Sequence, residues 1–79
     1  MAIKMEKVPS EVKAVEDRTA SNGKAYRLIH AIDEEGRYGK VYCWNPNIEI
    51  ESDTNYKLLI KVNRSSSGTY LHLMGVEGV

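Results

Sequence analysis

Lys40, Tyr42 and Trp44 occupy alternate positions in the run Lys40-Val41-Tyr42-Cys43-Trp44-Asn45. Side chains of an extended strand alternate between its faces, so one cation and two large rings share a face about 13 Å long. Val41 and Cys43 share the other. A row of this kind suits single-stranded nucleic acid, because ring faces stack on bases while the ammonium group meets phosphate. The same rings can instead fill a core, or anchor a protein partner.

Further cations have similar alternatives. Lys57 and Lys61 alternate with Leu58, Ile60 and Val62, and Arg64 extends the series. This is either a phosphate track or a charged edge that discourages aggregation. Arg27 can contact phosphate, stack on a base, or pair with Glu34 or Glu35. Tyr70, two residues after Gly68, can clamp a bound strand or simply stand exposed on the sheet.

Covalent and metal chemistry find little support. Cys43 has no nearby base and reads as a small core residue. One cysteine and two distant histidines do not give a zinc spacing, and the triplet Asp33-Glu34-Glu35 reads as a solvated hairpin rather than an ion site. Phosphate-loop, nucleophile-elbow and dinucleotide motifs are missing. We therefore expect a binding protein with no cofactor and no metal, and not an enzyme.

The elements that must position these residues are short and strand-like. Segments rich in Val, Ile, Leu and Tyr, separated by polar clusters, predict strands over Glu11–Asp17, Lys24–Ile32, Tyr38–Asn45, Tyr56–Asn63 and Thr69–Val76. Asn22-Gly23 signals a turn, because both residues tolerate positive φ. Pro46 ends the third strand, since it lacks the N–H of a continuing ladder. In the second strand Tyr26, Leu28 and Ile32 read as inward, with His30 in the same set and a bulge able to change the register. In the fifth, Leu71 and Leu73 read as core, leaving Tyr70, His72 and Met74 on the other side. Residues 1–10, with Pro9 near their end, read as a flexible arm ahead of a barrel over 11–79.

Composition sets the outer bounds. A chain of 79 residues holds one small domain, and 42% hydrophobic with 28% charged residues describes a folded chain rather than a disordered one. Eleven basic residues balance eleven acidic ones, so local distribution of charge matters more than the total. The single cysteine and the lack of a signal-like apolar start predict a reducing, cytoplasmic setting with no membrane contact.

Five strands with a longer connection between the third and fourth fit a five-stranded Greek-key barrel of the oligonucleotide/oligosaccharide-binding (OB) type. From Glu11 to Val76 the chain also resembles the OB-fold nucleic-acid-binding domains, in particular small single-stranded DNA-binding proteins and the replication protein A type of barrel. The likeness rests on Gly23-Lys24-Ala25-Tyr26 opening the second strand, Asp33-Glu34-Glu35-Gly36 at its hairpin, and Lys40 to Asn45 in the third. It implies that Lys40, Tyr42 and Trp44 meet bases. The chain departs from that family in its short third connector and in lacking a basic excess.

The expected function is therefore single-stranded nucleic-acid binding, DNA ahead of RNA, with low sequence preference. The expected interface is Arg27, Lys40, Tyr42, Trp44, Lys57, Lys61, Arg64 and Tyr70. A homodimer would raise the effective concentration of such a site. The alternative is a protein-interaction module within a replication or repair assembly.

Overall fold

The computed structural model describes residues 2–78, with side chains from Met5 onward. The described residues form five strands and no helix: β1 (Ala2–Thr19), β2 (Ala25–Asp33), β3 (Tyr38–Cys43), β4 (Thr54–Ser65) and β5 (Gly68–Gly78). They close into a barrel in the order β1-β2-β3-β5-β4, which is the OB-type arrangement. Neighbours are antiparallel except β3 and β5, which run parallel and meet at the single pair Tyr42 and His72.

One row of paired residues circles the barrel: Met5, Lys61, His72, Tyr42, Leu28 and Glu16. The row leaves β1 at Met5 and returns to it eleven residues later, at Glu16. This stagger is the shear that lets so few strands close, and it tilts every strand against the barrel axis. It also explains the length of β1, which pairs with β4 through its first half and with β2 through its second.

The strand therefore reaches back into the segment expected as an arm. Residues 2–10 are ladder partners of β4, and Met1 lies outside the described residues. Two features hide this stretch in the sequence. Its inward positions include polar Glu6 and Ser10 beside Val8 and Val12, so the apolar alternation is broken. Pro9 is tolerated because β2 begins its pairing only at Ser10, which leaves β1 before that point with a partner on one side.

A bulge between Val12 and Ala14 then reverses which positions face inward: Val12 is fully buried, whereas Val15 packs on the core beyond the bulge. Glu16 consequently turns outward. In β2 the inward residues are Ile29 and Ala31, correcting the expectation for Tyr26, Leu28 and Ile32. Leu28 is also buried, yet it lies outside the core cluster. It sits opposite outward-facing Tyr42, beneath the outer face.

Val12, Ile29, Val41, Cys43 and Leu58 form the centre of the core, each with at most 2% of its surface exposed. Ile50 and Ile48 of the β3–β4 connector pack against it. That connector forms no helix; its apolar residues and Asp53, whose N–H donates to Val12 O at 2.7 Å, hold it against the barrel. Gly36, at φ 81°, turns the β2–β3 hairpin, and Asp33 Oδ1 accepts from the N–H groups of Glu35 and Arg37 at 2.9 Å. The oxygens of Asp33 are thus occupied in building the turn.

Candidate nucleic-acid interface

Alternation in β3 buries Val41 and Cys43 and sends Lys40 and Tyr42 outward. Trp44 follows just beyond the strand with 41% of its surface exposed. Tyr26 at the start of β2 joins this outer face. Its ring centroid lies 4.7 Å from Trp44 and 5.7 Å from Tyr42, and Tyr42 lies 6.2 Å from His72 on β5. Three strands thereby contribute to one tilted aromatic sheet, at spacings where rings attract each other edge to face.

Tyr70 completes the patch. Together with Ala20, Tyr26, Tyr42, Trp44 and His72 it lines a shallow, largely apolar dish of about 240 Å³. The tyrosine is 40% exposed and stands opposite Asn63 in the β4–β5 ladder. Beyond the dish on the β4 side lies a groove of about 360 Å³, with Trp44, Asn45, Lys61, Asn63, His72, Leu73 and Met74 around it. On the opposite side Arg18 borders a hollow together with Tyr26 and Trp44. Its guanidinium is held above its ordinary range chiefly by the hydrogen bond to Glu16.

The predicted residues separate into two groups. Lys40, Tyr42, Trp44 and Tyr70 share the outer face, and Lys61 joins them through its ladder position opposite His72. Arg64 lies at the end of β4, beside the turn that leads to Tyr70. Lys57 sits a strand's length away from the rings. It pairs with Glu77, whose carboxyl lies below its ordinary range because Lys7 donates to it and, more weakly, because Lys57 is near.

Arg27 turns its guanidinium to the connector. Its Nη2 donates to the carbonyl oxygens of Asn45 and Ile48 and lies 3.6 Å from Cys43 Sγ, so the guanidinium ties the connector to the barrel end. The contact seen for this guanidinium is thus with the connector, while its side chain borders one hollow with Tyr26 and Trp44. Parity is the reason: Arg27 lies opposite inward-facing Cys43, on the same side as Ile29.

Sequence reading missed three members of the face. Tyr26 shares the parity of apolar Leu28, which makes it read as inward in the sequence, whereas it stands on the outer face. His72 has the outward parity expected of it beside Tyr70 and Met74, but its place next to Tyr42, like that of Arg18, depends on the stagger of the barrel, which alone brings β1 and β5 beside β3. Comparison of the chain with protein-family models, curated proteins and solved structures finds no match.

Proposed function

We propose that this barrel binds single-stranded nucleic acid, DNA in the first instance, on the outer face of β2, β3 and β5. The observation that carries the reading is the half-exposed ring cluster Tyr26, Tyr42, Trp44 and Tyr70, bordered by Lys40 and Lys61. Unstacked bases offer π-faces to such rings, each stack contributing about 1 to 3 kcal/mol, and every base offers one. The cations supply a salt-dependent attraction without any need for a positive total charge. Duplex DNA hides its base faces, so it loses the larger of these contributions.

A protein partner is the second reading. Met74 is 49% exposed and borders the same rings, and methionine with aromatic side chains is a common composition of protein interfaces. Salt separates the two readings. Phosphate binding weakens steeply as salt rises, whereas an apolar contact persists.

The test uses the sole tryptophan, Trp44. The protein is titrated with a short single strand and with a duplex of equal length at low and high salt, following Trp44 emission and the anisotropy of a labelled strand. The expected result is quenching by the single strand alone, weakened by salt. Silence in both signals with the single strand overturns the proposal and favours a protein partner.

A further inference from the structure

Tyr38 is 53% exposed, yet its hydroxyl is held by the chain. His30 pairs with Lys40 across to β3 and with Ala14 across to β1, so Tyr38 and Glu16 each stand one diagonal step from it on the outer face. Long side chains reach across such diagonals. Tyr38 Oη meets His30 Nδ1, and His30 Nε2 meets Glu16 Oε1. Arg18 donates to the other carboxylate oxygen at 2.9 Å. Together the bonds from Arg18 and His30 hold the Glu16 carboxyl below its ordinary range, so at neutral pH it is ionised and can only accept. In the neutral ring the proton of His30 therefore sits on Nε2, and Nδ1 accepts the Tyr38 O–H. A hydroxyl, a base and a carboxylate that orients the base form the arrangement that activates hydroxyl nucleophiles. No other tyrosine has it. Tyr56 Oη accepts the N–H of Glu51 at 3.0 Å, and the hydroxyls of Tyr26, Tyr42 and Tyr70 have no protein partner among the described residues.

We infer that Tyr38 is a nucleophilic phenol and a covalent modification site, taking a phosphoryl or sulfonyl group from an activated donor with His30 as its base. The inference stands apart from the binding reading above, since Tyr38, His30 and Glu16 lie outside the dish of rings. In the step, the Tyr38 proton passes to His30 Nδ1 while the phenol oxygen bonds to phosphorus or sulfur. The donor's leaving group departs with the electron pair of its bond, and His30 then returns the proton to water. A phenol oxygen forms lasting bonds to these two elements, whereas its carboxylic esters hydrolyse readily. The His30 side chain is only 17% exposed, so the base is kept against Tyr38 and does not turn freely in solvent.

The test treats the full chain with benzenesulfonyl fluoride and times the sulfonylation of each residue by peptide mass spectrometry. Sulfur takes the place of the phenol proton, and fluoride leaves. Tyr38 is expected to react about thirtyfold faster than Tyr70, which is also exposed but has no base beside it, and a positioned base commonly supplies a hundredfold or more. His30→Gln keeps a hydrogen-bond acceptor but no group that takes the proton, and should bring Tyr38 to within about threefold of Tyr70. A thermal melt confirms that this variant is folded, and if it is not, the ratio of Tyr38 to Tyr70 in wild type decides alone. Glu16 acts through His30. Glu16→Gln should slow Tyr38 about threefold and move the 15N signals of the His30 ring from a single Nε2–H tautomer to a mixture of the two. Equal rates at Tyr38 and Tyr70 in wild type overturn the inference. So does an unchanged Tyr38 rate in folded His30→Gln. An unchanged ring tautomer in Glu16→Gln overturns the orienting role of the carboxylate.

Discussion

Two clusters on the outer face of the barrel use the same kinds of side chain in opposite ways. Where β1, β2 and β3 meet, His30 is held on both ring nitrogens, by Glu16 at one and Tyr38 at the other, and Glu16 also accepts from Arg18 at 2.9 Å. The His30 and Tyr38 rings stack nearly parallel, 5.7 Å apart. Where β3, β5 and β4 meet, His72, Lys61 and Asn63 surround Trp44 without such mutual bonds. The first cluster has spent its hydrogen-bonding capacity on itself and fixes three strands together. The second makes no such network among the described residues, and it borders the ring cluster on which the proposed site rests.

The sharpest way to break the comparison is at Trp44. Trp44→Ala should lower single-strand affinity about thirtyfold, or near 2 kcal/mol, and change the unfolding midpoint little, because the ring is half exposed. Titration by anisotropy and a denaturant melt give the two values. A large stability loss with unchanged affinity would reassign Trp44 to packing.

Arg27 supplies the converse. Arg27→Met leaves the Asn45 and Ile48 carbonyls without their donor and should cost about 1.5 kcal/mol of stability, read from urea unfolding. Affinity of the folded variant should stay within twofold. A tenfold loss of affinity would return Arg27 to the interface.

Lys61 sharpens the electrostatic part. For Lys61→Gln, the slope of log affinity against log salt should become shallower by about 0.7 for a single strand, as expected when one phosphate contact is removed. The same substitution at Lys57, which faces Glu77 far from the rings, should leave the slope unchanged.

The smallest effect concerns the closed cluster. Hydrogen bonds from Arg18 first and His30 second hold the Glu16 carboxyl below its ordinary range. A depressed carboxyl stabilises the folded state above its unfolded pKa and loses that contribution as pH falls through the folded value. Stability should therefore decline on acidification below the ordinary carboxylate range, and Glu16→Gln should make this decline shallower. Thermal melts across that range measure it. Single-strand affinity of Glu16→Gln at neutral pH should not change, and if it does, the two clusters act as one.

Much of the architecture can be read from local pattern. Leu58, Ile60 and Val62 against Lys57 and Lys61, and Val41 and Cys43 against Lys40 and Tyr42, are clean alternations, so the inward faces of β3 and β4 follow from period two alone. Leu71, packed on the core, and buried Leu73 behave the same way in β5. The turns at Gly23 and Gly36 fall where positive φ is required. Pattern fails where both faces are apolar or where the inward face is polar. Leu28 and Ile29 are both buried, one on each side of β2, so apolarity cannot say which points inward. Glu6 and Ser10 conceal the first half of β1, and the bulge after Val12 shifts the rest by one position.

The sequence by itself determined an all-β chain, the rings and cations of β3, and the apolar faces of β3, β4 and β5, because each depends only on neighbours a few residues apart. Tertiary structure alone decided that Tyr26, Arg18 and His72 stand beside Trp44, that Arg27 turns to the connector, and that Lys61 lies at the groove while Lys57 does not. These are consequences of barrel closure. The stagger that returns the row from Met5 to Glu16 fixes which residues of distant strands meet, and that offset is a property of the closed sheet as a whole.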